Sequence, residues 1–148
     1  MKKGKRARVL FVCIGNSCRS PMAEAIAQQN ASDVMEPSSA GLAPLGHVEG
    51  MTKQTLKNNG YSGDELMSKP ILREVLSAAD VVINMSGRPR QQVFPGISKV
   101  EDWDVDDPYG ADPEIYQRIF GEIQRRVAEL ADRLRAQCRD SSPQRHSK

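Results

Sequence analysis

A chain of 148 residues carrying 39% hydrophobic and 27% charged residues is sized and composed for one globular domain with a single substantial core. A formal net charge of +2 is too small to argue for nucleic acid as a partner, and no apolar run approaches the ~20 residues that cross a bilayer. The short apolar segment behind the basic N-terminus is no secretory leader, so the expected location is the cytoplasm, away from membranes.

Positive charge gathers at the ends, in Lys2, Lys3, Lys5, Arg6 and Arg8 and again in Arg139, Arg145 and Lys148. It reads as solvated, frayed termini, with a basic rim that attracts an anionic substrate as the sharper alternative. Three cysteines make a poor disulfide framework. Cys13 and Cys18 lie five apart in one loop, a spacing that suggests chemistry or redox protection. Cys138 is read as incidental.

In chain order, Val9–Val12 is a continuous apolar run of the kind found in buried parallel strands. Ser20-Pro21 supplies a cap and a first helical position for a helix reaching about Asn30. Val34–Ser39 is a second strand, weakened by Pro37. Val48–Asn58 has helical composition and stops at Asn58-Asn59-Gly60. Pro70–Ala78 reads as a helix, Val81–Ile83 as a buried strand, Gly87–Phe94 as a short helix and Ile97–Val100 as a weaker strand. Glu101–Pro113 is expected to be a long acidic loop. From Asp112-Pro113 the last helix presents Ile115, Ile119, Ile123, Val127, Leu130 and Leu134 as one apolar stripe. Beyond Gln137 the sequence turns polar, so residues 1–137 are read as one domain and 138–148 as a disordered tail. Strands alternating with helices imply an α/β sandwich on a mainly parallel sheet.

The segment Cys13-Ile14-Gly15-Asn16-Ser17-Cys18-Arg19-Ser20-Pro21 falls between a strand and a helix. A loop wrapped at a helix N-terminus aims several backbone N–H groups at one point and binds an anion there. Gly15 and Asn16 are residue types that tolerate the left-handed angles such a wrap needs. Five intervening residues let Arg19 return to the centre that holds Cys13, where its planar guanidinium can grip two phosphoryl oxygens. The same field stabilises a thiolate able to attack phosphorus in line, with a hydrogen bond from Ser20. An isolated Cys and Arg at this spacing would carry little; the nine-residue string in this setting carries the reading.

Displacing an alcohol or phenol from phosphorus needs a proton, and hydrolysing the cysteinyl-phosphate needs a base for water. The acidic loop offers Asp102, Asp104, Asp106 and Asp107, and composition alone does not choose among them. Trp103 is read as core in preference to cleft wall.

The string Val12–Glu24, with Ser39-Ala40-Gly41, Ala79–Ile83 and Asp107-Pro108-Tyr109, resembles the low-molecular-weight protein tyrosine phosphatase family, which includes the thioredoxin-linked arsenate reductases. The resemblance spans residues 8 to about 136. It implies a three-layer α/β sandwich with a four-stranded parallel sheet in the order 2-1-3-4, and no metal or organic cofactor. It implies Cys13 as nucleophile, Arg19 as phosphate binder and Asp107 as general acid, with Asp106 as the fallback. Pro108 helps to aim the acid. Asn16, Ser20 and Ser39 would support the loop. Ile14, Gly15, Asn16, Ser17, Cys18, Ser20, Leu45 and Tyr109 would meet the substrate, a phosphorylated protein or a small phosphomonoester.

Three features depart from the tyrosine phosphatases. Leu45 stands where an aromatic residue usually stacks on the substrate ring, and Ser17 stands where a bulky apolar residue is usual. Leu45–Asn59 and Trp103 look more like the reductase branch. Yet Asn84–Gly87 and Val93–Pro95 contain none of the cysteines that an intramolecular arsenic relay needs. An arsenate reductase served by an external thiol stays open, whereas Tyr109 favours the phosphatase branch. Cys18 is either a small residue fitting a crowded loop or a resolving thiol that protects Cys13 as a disulfide.

Overall fold

The computed structural model describes residues 6–140. Its elements are β1 (Ala7–Cys13), α1 (Arg19–Asn30), β2 (Met35–Gly41), α2 (Gly50–Asn58), α3 (Arg73–Ala78), β3 (Val81–Asn84), α4 (Arg90–Val93), β4 (Val100–Asp102) and α5 (Pro113–Asp140). The four strands form one sheet in the order β2-β1-β3-β4, with every neighbouring pair parallel. Helices cover both faces, giving the three-layer α/β sandwich that the sequence led us to expect.

The apolar run of β1 follows from its central position. Val9 and Phe11 point to one face, into the main core with α1 and α5. Leu10 and Val12 point to the other, into a smaller core with Val82, Phe94 and Val100. Alternate side chains on a strand face opposite ways, so a strand covered on both faces is apolar throughout. On α1, Met22, Ala23, Ile26 and Ala27 are buried, and the alanines keep the helix close to the sheet. The expected stripe of α5 is buried at Ile119, Ile123, Val127, Leu130 and Leu134, while Ile115 packs against its rim. Tyr116 and Phe120 widen that face, and Tyr61 meets Phe120 edge-on at 5.5 Å.

Several boundaries differ from expectation for identifiable reasons. α1 begins at Arg19, with Cys18 in the cap position, so Ser20 is no cap. Pro21 sits in the first turn, where a missing N–H breaks no helical bond. Pro37 lies inside β2, which tolerates it because β2 is an edge strand. Val48 and Glu49 precede α2, and the Glu49 N–H turns back to the Ser17 carbonyl. Pro70 precedes α3 and instead forms a parallel bridge with Gly41. Pro89 occupies the cap of α4, which confines that helix to four residues. Ile97 is in the turn after Gly96, and β4 starts only at Val100, opposite Val82. β4 thereby takes Glu101 and Asp102 from the expected acidic loop.

The helical signal of α5 continues three residues past Gln137 to Asp140. The rest of the expected tail, residues 141–148, lies outside the described residues, as do the basic positions Lys2, Lys3 and Lys5. Arg6, the first described residue, pairs with Glu36 at 2.8 Å. No described helix is long and apolar enough to cross a membrane.

Candidate active site

The β1–α1 connection, residues 14–18, wraps at the C-terminal edge of the sheet, where open parallel sheets present their ligand sites. Cys13 is the last residue of β1 and Arg19 the first of α1, so both ends of the loop are anchored in regular structure. Asn16 has φ 49°, the one described non-glycine residue in the left-handed region. Gly15 was expected to share that conformation and does not. Its value is space: a Cβ there would lie 3.0 Å from Leu45 Cγ. Gly41 has the same use, because a Cβ would come within 2.8 Å of the Ile14 carbonyl oxygen and 2.9 Å of the Asn16 nitrogen.

Behind the loop runs a hydrogen-bond network. Asn16 Nδ2 donates to Ser20 Oγ (2.8 Å) and to Ser39 Oγ (3.0 Å), while Asn16 Oδ1 accepts from the Lys69 N–H (2.9 Å). Ser39 in turn donates to Glu24. Ser20 Oγ also lies 2.9 Å from Cys13 Sγ and 3.5 Å from the Ala40 carbonyl, and with Cys13 as a thiolate its proton turns to the sulfur. The Ser20 N–H also points at Sγ, at 3.4 Å. Both groups of Ser20, at the start of α1, thus converge on one sulfur.

In front of the loop lies a cavity of about 210 Å³. Cys13, Ile14, Gly15, Ser17, Cys18 and Arg19 form its floor, and Ala43, Leu45, Asp107 and Tyr109 its walls. Leu45 and Tyr109 are 47% and 58% exposed, giving the mouth an apolar rim. Asn16 and Ser20, expected among the substrate contacts, do not line the cavity. Both are fully buried behind the loop, on its supporting side.

Arg19 is buried and spans two segments. Its Nη1 donates to the Met85 carbonyl (2.6 Å) and the Val105 carbonyl (3.1 Å), tying the end of β3 to the acidic loop. Nη2 lies 3.5 Å from Asp107 Oδ2. Arg19 Nε and Ser17 Oγ are buried without a protein partner. Leaving such groups unpaired costs about 1–3 kcal/mol each, and both residues line the cavity.

Of the four acidic-loop candidates, Asp107 lines the cavity and Asp106 does not. Trp103 and Val105 are buried, so the loop alternates inward apolar and outward acidic residues until Pro108 turns it. Asp107 Oδ1 accepts from the Tyr109 N–H (3.1 Å), which holds the carboxyl at the cavity mouth. Trp103 packs on Phe11 at 5.8 Å and lies under the Arg126 guanidinium, so it is core and no part of the cleft.

Cys18 faces inward, 3.4 Å from the Tyr116 hydroxyl. Burial pushes the Cys18 thiol above its ordinary value, and burial pushes Tyr116 well above the usual phenol range. Both groups therefore stay protonated at neutral pH. Sequence reasoning missed Thr52, whose hydroxyl donates to the Ser17 carbonyl (2.8 Å), and Lys69, which acts through its backbone. Neither carries a local signal; only the fold brings them to the loop. Glu24 lay within the recognised string without an assigned task.

The family model for low molecular weight phosphotyrosine protein phosphatases matches residues 8–140. Arsenate reductase 1 of Bacillus cereus is 32% identical over 127 residues, covering 84% of this chain and 93% of that protein. A Ralstonia nicotianae protein described as "probable low molecular weight protein-tyrosine-phosphatase EpsP" is 29% identical over 140 residues, covering 86% of this chain and 96% of that one. Among solved structures, the YwlE arginine phosphatase from Geobacillus stearothermophilus superposes with a TM-score of 0.83 at 28% identity, covering 92% of this chain and 97% of that one. Loop, sheet order and matches agree, and the chain is an enzyme of the low molecular weight phosphotyrosine protein phosphatase family.

Proposed function

We propose that this enzyme is a phosphatase that removes the phosphoryl group from a phosphorylated protein side chain, phosphotyrosine first, through a cysteinyl-phosphate. The observation that carries the reading is one cavity in which Cys13 lies at the floor, Asp107 at the mouth and Arg19 beside both, under apolar walls. A bare oxyanion has no use for Leu45 and Tyr109, whereas an organic leaving group does.

The Cys13 thiolate attacks phosphorus while Arg19 and the loop N–H groups hold the equatorial oxygens. The bond to the leaving oxygen breaks as the Asp107 carboxyl gives that oxygen its proton. The resulting Asp107 carboxylate then takes a proton from water as the water oxygen attacks phosphorus. The S–P bond breaks, and inorganic phosphate and the Cys13 thiolate are released. Asn16, Ser20 and Ser39 act from behind by keeping the Ser20 donor on the sulfur. No metal or cofactor is invoked.

Two observations favour other chemistry at the same floor. Ser17 presents an unpartnered hydroxyl where an apolar side chain would suit an aryl ring, which brings phosphoarginine, the substrate class named for the similar YwlE enzyme, into the comparison. Kinship with arsenate reductases, with Cys13 as the attacking thiolate and an external thiol as reductant, supports arsenate turnover. One panel separates the three: p-nitrophenyl phosphate, a phosphotyrosine peptide and a phosphoarginine peptide, then arsenate with thioredoxin, glutathione or mycothiol, each with wild type and Cys13→Ser. The expected result is Cys13-dependent release of phosphate from aryl and peptidyl phosphate. Thiol-dependent arsenate loss without any phosphate release would overturn the reading.

A further inference from the structure

The wall that carries Leu45 is held to the phosphate loop mainly by backbone. The Leu42, Ala43 and Leu45 N–H groups donate to the carbonyls of Cys13, Ile14 and Gly15, at 3.1, 2.8 and 3.0 Å. One side chain joins the same seam from a distant part of the sequence. Ser68 Oγ donates to the Gly15 carbonyl (2.9 Å) and accepts from the Gly46 N–H (3.0 Å). A hydroxyl has one proton, so these two bonds fix its orientation completely.

Both partners matter for Leu45. Gly46, the next residue, has φ 94° and so makes the turn that ends the wall. Gly15 lies directly beneath Leu45, close enough that even a Cβ would press on Leu45 Cγ. Ser68 therefore pins the wall at its tip while resting on the loop that the wall faces. The following residue, Lys69, ties the same extended segment to Asn16 and Gly41 through its backbone, so Ser68 is presented from a fixed base.

We infer that Ser68 is a positioning residue for substrate selection: its hydroxyl bridge holds the Leu45 wall at the width that grips an organic group attached to the phosphoryl centre. The inference rests on the reading that the site takes an organic phosphate. It separates two tasks, with the loop and Arg19 holding the oxyanion and Ser68 acting only on what the oxyanion carries.

The test compares calorimetric binding of inorganic phosphate and of phenylphosphonate, which cannot be hydrolysed, to wild type, Ser68→Ala, Ser68→Thr and Leu45→Ala. Wild type should bind phenylphosphonate more tightly than phosphate. Ser68→Ala should weaken phenylphosphonate about fivefold, the scale of one neutral hydrogen bond, and leave phosphate within about twofold. Ser68→Thr should restore the difference. Ser68→Ala added to Leu45→Ala should change nothing further, because the two act through one contact. Equal loss for both ligands, no loss for either, additive effects, or no aryl preference in wild type would each overturn the inference. Hydrolysis of p-nitrophenyl phosphate by the same preparations reports separately on the phosphatase reading. Its absence beside an intact aryl effect overturns that reading and leaves the role of Ser68 standing.

Discussion

Gly41 ends β2 with the Ile14 oxygen and the Asn16 nitrogen both closer than 3 Å to where its Cβ would stand. These neighbours are backbone atoms of the phosphate loop and cannot swing aside as a side-chain tip would. Gly41→Ala should cost about 1–3 kcal/mol of stability by overpacking, and it should weaken inorganic phosphate binding by displacing the loop. Urea unfolding and phosphate calorimetry measure the two effects; an unchanged protein in both would contradict this account of the loop.

At the same scale, Cys18 lines the same cavity as Cys13 and keeps both of its readings. Burial raises the pKa of its thiol, and it lies beside the Tyr116 hydroxyl, so a resolving role would need that contact to open. Cys13, Arg19 and Ser20 were legible from residue types and spacing because the loop is local, whereas the bracing by Asn16 and by Ser39, which stands on β2, came with the family resemblance. Asp107 needed the family resemblance, since four carboxylates share one loop. Ser68, Thr52 and Lys69 were not legible, because each reaches the loop through long-range pairing that no local pattern encodes.

Elements with a strong period were read correctly. β1 is apolar because two layers cover it, and α5 repeats its stripe over most of 28 residues. The short elements drifted. β4 and α4 have three and four residues, too few to carry a period, so prolines and turns decide where they begin. The segment from Tyr61 to Leu72 forms no regular element of its own, yet it carries Ser68 and Lys69 to the phosphate loop.

The far end of α5 is tied to the α1–β2 turn by Arg135, which donates to Asp33 at 2.9 and 3.0 Å and to the Asn30 carbonyl. The hydrogen bond from Arg135 holds the Asp33 carboxyl below its ordinary value. A folded-state pKa below the unfolded one stabilises the fold at pH above the unfolded value, about 3.9. That contribution fades as pH falls through the depressed folded value. Arg135→Ala should therefore lower stability by about 0.5 kcal/mol at pH 7, the scale of an exposed pair. The gap from wild type should close progressively below about pH 4. Urea melts across that range check the sign; a gap that persists undiminished in acid would show that the ion pair is not its source.

On the scale of the whole molecule, the sheet order puts the strand that ends in Cys13 in the interior and delivers the acidic loop from β4, at the edge beyond β3. Arg19 joins these parts, bonding to the end of β3 and to Val105 while it faces Asp107. The Cys13–Arg19 loop and Asp107 are thus brought to one cavity from distant segments of the chain. The family architecture was readable because the Cys13–Ser20 string and the alternation of strands and helices agree with each other. The choice of substrate was less readable, because Ser17 on the floor and Leu45 and Tyr109 at the mouth come together only in the fold.

The central claim, that Cys13 takes the phosphoryl group and Asp107 serves its transfer and release, has a direct measurement. Wild type and Asp107→Ala are mixed with p-nitrophenyl phosphate, quenched in acid within the first turnovers and mapped by mass spectrometry. With so good a leaving group, losing Asp107 should chiefly slow attack by water. The expected result is a phosphoryl adduct on Cys13 that builds up in Asp107→Ala and is absent from Cys13→Ser. Continued hydrolysis with the phosphoryl group on another residue, or on none, would contradict it.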